Sequence, residues 1–395
     1  MKNKIISFIM LLPILIFMSC VKDYPNPDNK LNCNMSFQDH PKNSRYQELL
    51  DSYAKNGFAG LTVLVDDQAN SLWMGSSGYA DIENKIKMTP CHYHHTASIF
   101  KTYLSVVIMQ LIEEGKFNAD DRLTGLVSED ILNQIPNGNL VTIKNLLQHR
   151  SGIPDLFETD FMLDLFNQSK ESYSIETLLK YVYGKKKLSQ PGTDFYYSDA
   201  NFARLSLVVN HFEGDYGNAI KTRIFKALDL KESVFMNSSA DAPPGLADSY
   251  WDRFGDGKIE NNSDWQINLT SGLKGTDGIV TTANDMKRFI QAMTDGTLVS
   301  AASLSLMTNF ADVTVEEQQK HGITGYGMGL MRVNVSGEIW YGHFCNHVGS
   351  GAITLYNPAQ KITLVAFENM GTFFSDSIKP VFYNQLIRDI EGIVY

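Results

Sequence analysis

Strand-like runs lie near both ends of this sequence, and a long stretch patterned for helices separates them. Near the start, "GLTVLVDD" (Gly60–Asp67) is rich in β-branched and apolar residues. "QAN" makes a turn, and "SLWMGSSGYAD" (Ser71–Asp81) reads as the partner strand of a hairpin. Near the end come "EIWYGHF", "GAITLY" and "KITLVAFEN", with Asn357–Pro358 turning the chain between the last two. From about Ser105 to Leu269 the pattern is mostly helical, with long loops. A sheet completed by both chain ends forces everything between them out as an insertion. The expected fold is therefore α+β: one antiparallel sheet built from both chain ends and flanked by helices, with an inserted, mostly helical lobe and a cleft between the lobes. The sheet lobe is expected over about 46–104 and 275–395, and the helical lobe over about 105–274.

Three helices have readable ends or faces. In "TIKNLLQHRSG", Thr142 can cap the start, Ile143, Leu146 and Leu147 share a face, and Gly152 with Pro154 stops the helix. In "TTANDMKRFIQAMTDG", Thr282 and Asp285 have capping-box spacing. Ala283, Met286, Phe289, Ile290 and Met293 form an apolar stripe. "SIKPVFYNQLIRDIEG" closes the chain as a helix.

The first residues obey different rules. Lys2 and Lys4 precede an apolar run from Ile5 to Met18, too short for a membrane span and suited to a signal-peptide core. It ends in "IFMSC", which resembles a bacterial lipoprotein processing box with Phe17 in the usual place of Leu. That resemblance implies removal of residues 1–19 and a lipidated Cys20. Residues 20–45 are polar, hold several Pro and lack periodicity, so they read as a flexible tether. The folded domain is expected over 46–395. The net charge of −10 argues against nucleic acid or an anionic membrane surface as partner, leaving the lipid as the only membrane contact. Cys33, Cys91 and Cys345 remain. A Cys33–Cys91 disulfide suits an exported chain, but spacing cannot establish it, and free thiols are the expectation.

The sequence holds three S-x-x-K pairs: Ser19–Lys22, Ser98–Lys101 and Ser271–Lys274. Composition alone predicts roughly one or two in a chain of this length. The first straddles the cleavage site. The third lies in "TSGLKGTDG", whose glycines argue for a loop. Ser98 precedes "IFKTYLSVVIMQLI", a buried-helix pattern, and residues three apart on a helix share a face. The positive end of that helix favours an oxyanion near Ser98. Burial of Lys101 against Phe100 and Tyr103 makes its neutral form accessible, and neutral Lys can take the serine proton. No serine stands in G-x-S-x-G. "CHYHH" (Cys91–His95) lacks the companion ligands of a metal site, and none is expected.

"TASIFKTY" resembles the nucleophile segment of the serine β-lactamase and penicillin-binding-protein family, nearest its class C β-lactamases, DD-peptidases and related esterases. "GYADIENK", "LLQHRSGIPDL", "PGTDFYYSDANFARL", "GIVTTANDMKRF" and "YGMGL" followed by "YGHFCNHVGSGAITLYNP" resemble that family's other stretches, in its order. The resemblance spans about Gly60 to Asn369 and implies a β-lactamase/transpeptidase-like fold.

It also implies roles. Ser98 is the acylated nucleophile and Lys101 its activating partner. Tyr197 is the general base or proton relay, its phenolate made affordable by nearby ammonium or imidazolium groups. Asp199 stands where the family has Asn; it can only accept hydrogen bonds and could hold Lys101 charged. His343 takes the first position of the K-T-G or H-x-G strand, orienting a substrate carboxylate and supporting the Tyr197 proton. His347–Val348–Gly349 also reads H-x-G but breaks the spacing from Asn357–Pro358. Cys345 replaces Gly and should face the acyl pocket beside His343. The N–H groups of Ser98 and Asn346 form the oxyanion hole. The implied enzyme is an envelope lipoprotein, needs no cofactor, and uses small D-Ala-D-Ala-type peptides, D-amino-acid amides or β-lactams, with peptidoglycan as source. A carboxylesterase with the same site is the second reading. An inactive relative that binds peptidoglycan fragments is the third.

Overall fold

Gly60–Asp67 joins the two ends of the chain. In the computed structural model, which describes residues 31–67, 71–167, 173–316, 318, 322–371 and 382–394, this strand pairs with Ser71–Asp81 on one side and Ile362–Glu368 on the other. Leu64 thus lies between Met74 and Val365. Eight strands form one antiparallel sheet in the order Ile86–Lys87, Ser71–Asp81, Gly60–Asp67, Ile362–Glu368, Gly351–Asn357, Glu338–Asn346, Met331–Val335 and Ile323–Tyr326. The expected α+β fold is what the chain adopts. The signal peptide and Cys20 lie outside the described residues.

Side chains alternate across the sheet. Leu61, Val63 and Val65 pack with Tyr46, Leu50 and Leu386, from the Asn43–Lys55 and Phe382–Val394 helices. Leu64, Met74 and Val365 pack on the opposite face with Leu104 and Phe289, from the Phe100–Glu113 and Ala283–Thr294 helices. Burial of each such side chain contributes ~1.5–3 kcal/mol. The second cluster continues into the helical lobe through Leu146, Phe202 and Val208, so both lobes share one core.

Local signals resolve unevenly. Thr142 and Asn145 cap each other's backbone N–H groups at the start of Ile143–Leu147. That helix ends before Gly152 because His149 turns left-handed at φ 53°. The stripe from Ala283 to Met293 is buried. Thr282 Oγ1 caps the Asp285 N–H at 3.4 Å, but Asp285 spends its carboxylate on the Glu232 N–H at 2.8 Å rather than completing a box.

Two differences concern the segment expected to be a tether. Its end forms a helix from Asn43, and Met35 and Phe37 pack against the core. Cys33 and Cys91 form a disulfide, with Cα atoms 5.6 Å apart, rather than standing as free thiols. The bond fastens this strap to the segment leading into Ser98. His94–His95, a few residues on, pairs with Ile279–Thr281, and the Thr96 N–H donates to Ile279 O at 3.1 Å.

Candidate active site

Ala97–Ile99 forms one 3-10 turn that runs straight into the Phe100–Glu113 helix. Ala97 has φ 41°, a conformation that costs a non-glycine residue about 1–3 kcal/mol. The turn exposes Ser98 to a cavity while Ala97 and Ile99 stay buried. Lys101 lies one turn along the same face. Its Nζ donates to Ser98 Oγ at 3.1 Å and to Asp199 Oδ1 at 2.6 Å, and its side chain is fully buried. The ammonium is also 5.1 Å from the Tyr197 ring centroid. Ser19–Lys22 lies outside the described residues, and of the other two S-x-x-K pairs this one is in contact. In the third, Ser271 lies in the last turn of a helix rather than a loop and bonds back to Ile267 O, while Lys274 reaches Asn237 O.

Tyr197 lines the same cavity as Ser98. Its ring stacks on His149 at 4.2 Å between centroids. His149 Nδ1 faces the Ser198 N–H at 3.1 Å and Asn201 Nδ2 at 3.2 Å, which ties the ring to the start of the Asp199–Glu213 helix. Burial keeps His149 well below the usual imidazole range, so it is neutral. No role attaches to His149 in the sequence reading; its place inside "LLQHRSG" was the available signal.

His343 is not in the cavity wall. The ring is fully buried behind Tyr326. Its Nδ1 donates to Phe344 O at 2.6 Å, so Nε2 accepts from the Tyr326 hydroxyl at 2.9 Å. Burial, with Lys101 nearby, pushes it down to about 3. It cannot supply the imidazolium expected beside Tyr197; its partner Tyr326 lies 6.2 Å from Tyr197 between ring centroids. The histidine in the wall is His347, which the spacing count disfavours. The strand ends at Asn346, and the His347 N–H closes a turn onto Ser350 O at 2.8 Å. That turn swings Asn346, His347 and Val348 into the cavity. His347 Nδ1 and the Gly349 N–H both donate to Gln266 Oε1 at 2.9 Å. The proton is therefore on Nδ1, and Nε2 carries a lone pair. Burial lowers this ring to about 4.

Cys345 does share the His343 side of its strand, but it is a core residue, 2% exposed, packed behind the cavity rather than lining it. Burial pushes its thiol up, with Asp277 and Glu368 adding to the effect.

The cavity measures about 260 Å3. Phe157, Met162, Leu165, Leu269 and Leu273 make its apolar wall, and three carboxyl groups, Asp155, Asp199 and Asp277, face it. Asp155 Oδ1 accepts the Leu156 and Asp199 N–H groups, both at 2.7 Å. Enclosure by protein, and then Asp199, push Asp155 up to about 7, although part of its surface remains open to the cavity. Asp277 is 3% exposed and is pushed up to about 7, chiefly by burial. Its Oδ1 accepts the Gly278 N–H, and its Oδ2 has no well-formed hydrogen bond from the protein.

The histidines of "CHYHH" do not converge on a metal. His92 bonds Thr89, His94 bonds Thr62, and His95 bonds Thr270. Among the described residues one group, Asp81, Glu83 and Asp248, could hold a cation, and each is bonded to protein donors: Asn84, Tyr250 and Asn261.

Residues 44–379 match the profile of the family described as Beta-lactamase. A putative penicillin-binding protein of Bacillus subtilis, PbpX, is 28% identical over 266 residues, covering 67% of this chain and 62% of that protein. Protein flp of Staphylococcus aureus is 26% identical over 187 residues, 47% of this chain and 36% of that one. The match thus spans less than two thirds of either relative. The D-amino acid amidase of Ochrobactrum anthropi superposes with a TM-score of 0.76 at 21% identity, over 89% of this chain and 97% of its own. A penicillin-binding protein from Bacillus halodurans does so with 0.71 at 21%, over 89% and 99%. At such identities these two likenesses are of fold.

Proposed function

We propose, from the premise that this chain belongs to the Beta-lactamase family of serine hydrolases, that it transfers acyl groups through Ser98 from small D-configured amides or peptides, with β-lactams as mimics. One observation carries the reading: the 3.1 Å contact between Lys101 Nζ and Ser98 Oγ at the edge of a cavity shared with Tyr197. The same contact favours an enzyme over a binder of peptidoglycan fragments. The D-amino acid amidase likeness supports the D-amide class.

The residues assign the steps. In the resting site the Lys101 ammonium is shared by Ser98 and Asp199. Transfer of one ammonium proton to Asp199 leaves an amine facing the serine, and the burial of both side chains lowers the cost of replacing an ion pair by two neutral groups. The amine takes the Ser98 proton as Oγ bonds to the donor carbonyl carbon. The oxyanion falls to the N–H groups of Ser98 and Asn346. When the carbon–nitrogen bond breaks, the leaving amine receives that proton by way of Tyr197. Water then repeats the sequence on the ester, releasing the acid and restoring Ser98. His149 holds the Tyr197 ring in place throughout.

Export and anchoring through a lipid on Cys20 belong to the same proposal. The Cys33–Cys91 disulfide supports an oxidising compartment, and peptidoglycan would be within reach there.

Intact-mass analysis tests the reading. The protein is incubated with an alkyl fluorophosphonate and a panel of β-lactams and D-peptides. A covalent adduct on Ser98 that disappears in Ser98→Ala is expected. No adduct from any reagent would sink it, whereas turnover of p-nitrophenyl esters without attack on D-amides would move the assignment to a carboxylesterase.

A further inference from the structure

We infer that the cavity selects acyl donors carrying a protonated amine next to the scissile amide, and that Asp277 Oδ2 receives that ammonium. The inference rests on the acyl-transfer reading and adds the charge class of the donor.

The charge balance of the cavity points this way. Three carboxyl groups face it, and Lys101, the one cationic side chain in contact with the nucleophile among the described residues, is already shared between Asp199 and Ser98. Neither nearby histidine offsets the carboxylates. His343 lies behind Tyr326, and His347 has committed its proton to Gln266 and presents a lone pair at Nε2. A donor ending in a free carboxylate would meet negative charge, and no free cation among the described lining residues receives it. A donor with an ammonium meets the opposite case.

Asp277 is singled out by what it lacks. It is almost wholly buried, lies in the cavity wall, and leaves Oδ2 without a proper hydrogen bond. A buried polar atom in that condition costs free energy until something donates to it. Asp155 differs: its Oδ1 already receives two backbone N–H groups. The groups that act on Asp277 from the packed elements are Lys101, Asp199, the Thr270 hydroxyl and Cys345. Of these only Lys101 is a cation, and it sits with Asp199. The apolar wall, from Phe157 to Leu273, is left for the donor's side chain.

The test compares three p-nitroanilides on the full chain at pH 7.5: D-alanine, N-acetyl-D-alanine and N-succinyl-D-alanine. The first carries a positive charge next to the scissile bond, the second is neutral there, and the third is neutral there but carries a negative charge at the end of its succinyl group. The expected order of kcat/KM follows that sequence, with the free amine favoured over the acetyl compound about tenfold or more, the scale of one charged hydrogen bond. In Asp277→Asn the amine-to-acetyl ratio should collapse to within about twofold. Fluorophosphonate labelling of Ser98 in the variant, with a single cooperative unfolding transition, shows that the variant is folded. Equal or better turnover of the acetyl or succinyl donor overturns the inference and leaves acyl transfer standing, as does an unchanged ratio in the variant. No labelling and no turnover by the parent protein overturns the acyl-transfer reading and this inference together.

Discussion

Replacing Asp277 by Asn should stabilise the protein, and by an amount that depends on pH. The carboxyl titrates near 3.8 when exposed and is raised to about 7 in the fold, first by burial. Below pH 4 it is protonated in both states and contributes no pH dependence. Between 4 and 7 the unfolded chain gives up the proton and the folded chain keeps it, so stability falls by about 1.4 kcal/mol per pH unit. Above 7 the loss is complete at about 4 kcal/mol, the product of that slope and the shift. Asn has nearly the same shape. It can keep accepting the Gly278 N–H, and it does not ionise. The gain of the variant over the parent should therefore be small at pH 4 and approach about 4 kcal/mol at pH 8. An unfolding entropy of about 2.1 cal/mol/K per residue turns that into a rise in Tm of about 5 °C for a chain of this length. Melting curves by circular dichroism or calorimetry at pH 4, 5, 6, 7 and 8, with activity followed in parallel, would read it. A gain independent of pH, or a variant less stable than the parent at pH 8, would refute the argument. Stability bought at the expense of donor selection is the pattern of a functional site.

Lys101→Met should lower acylation of Ser98 at least about 10³-fold and also destabilise the fold, because it leaves the nearly buried Asp199 carboxylate without its partner; stopped-flow acylation and melting curves check the two effects. Cys33→Ser with Cys91→Ser opens a covalent loop of separation 58, and the chain-entropy relation gives a loss of up to about 4 kcal/mol; a Tm unchanged by the double substitution or by reductant would contradict this. His149→Gln removes the ring stacked on Tyr197 and should cut kcat about 10- to 100-fold with a smaller change in KM, and steady-state kinetics showing the reverse split would argue that His149 only supports the fold.

Much of the fold was legible because its signals are periodic. Strand runs at both ends imply a sheet closed across the insertion, and the Leu64 register shows that closure. Ser98 and Lys101 were legible because a three-residue spacing on a helix is itself a contact. Cys33–Cys91 was not, since separation along a chain carries no distance. Asp155, Asp277 and His149 stand alone in loops, and only the packing of both lobes brings the two carboxyl groups to the cavity and His149 against Tyr197. The histidines mark the boundary between the two kinds of signal. Counting along a strand gives the face on which His343 lies, but the wall is built by the turn after Asn346, where strand counting no longer applies.

Asp199 links the departures from the family pattern into one physical consequence. As Asn it could share its donor and acceptor between Lys101 and a substrate amide; as Asp it is bound to the ammonium at 2.6 Å. That pairing spends the cation that would otherwise balance the other two carboxyl groups. Asp155 is raised partly by Asp199 itself, and Asp277 keeps an oxygen without a well-formed hydrogen bond. With His343 turned away and His347 neutral, neither histidine supplies a cation to receive a carboxylate. One change from amide to carboxylate at the start of the Asp199–Glu213 helix therefore bears on both halves of the reaction: how the Ser98 proton moves, and which donor charge the cavity accepts.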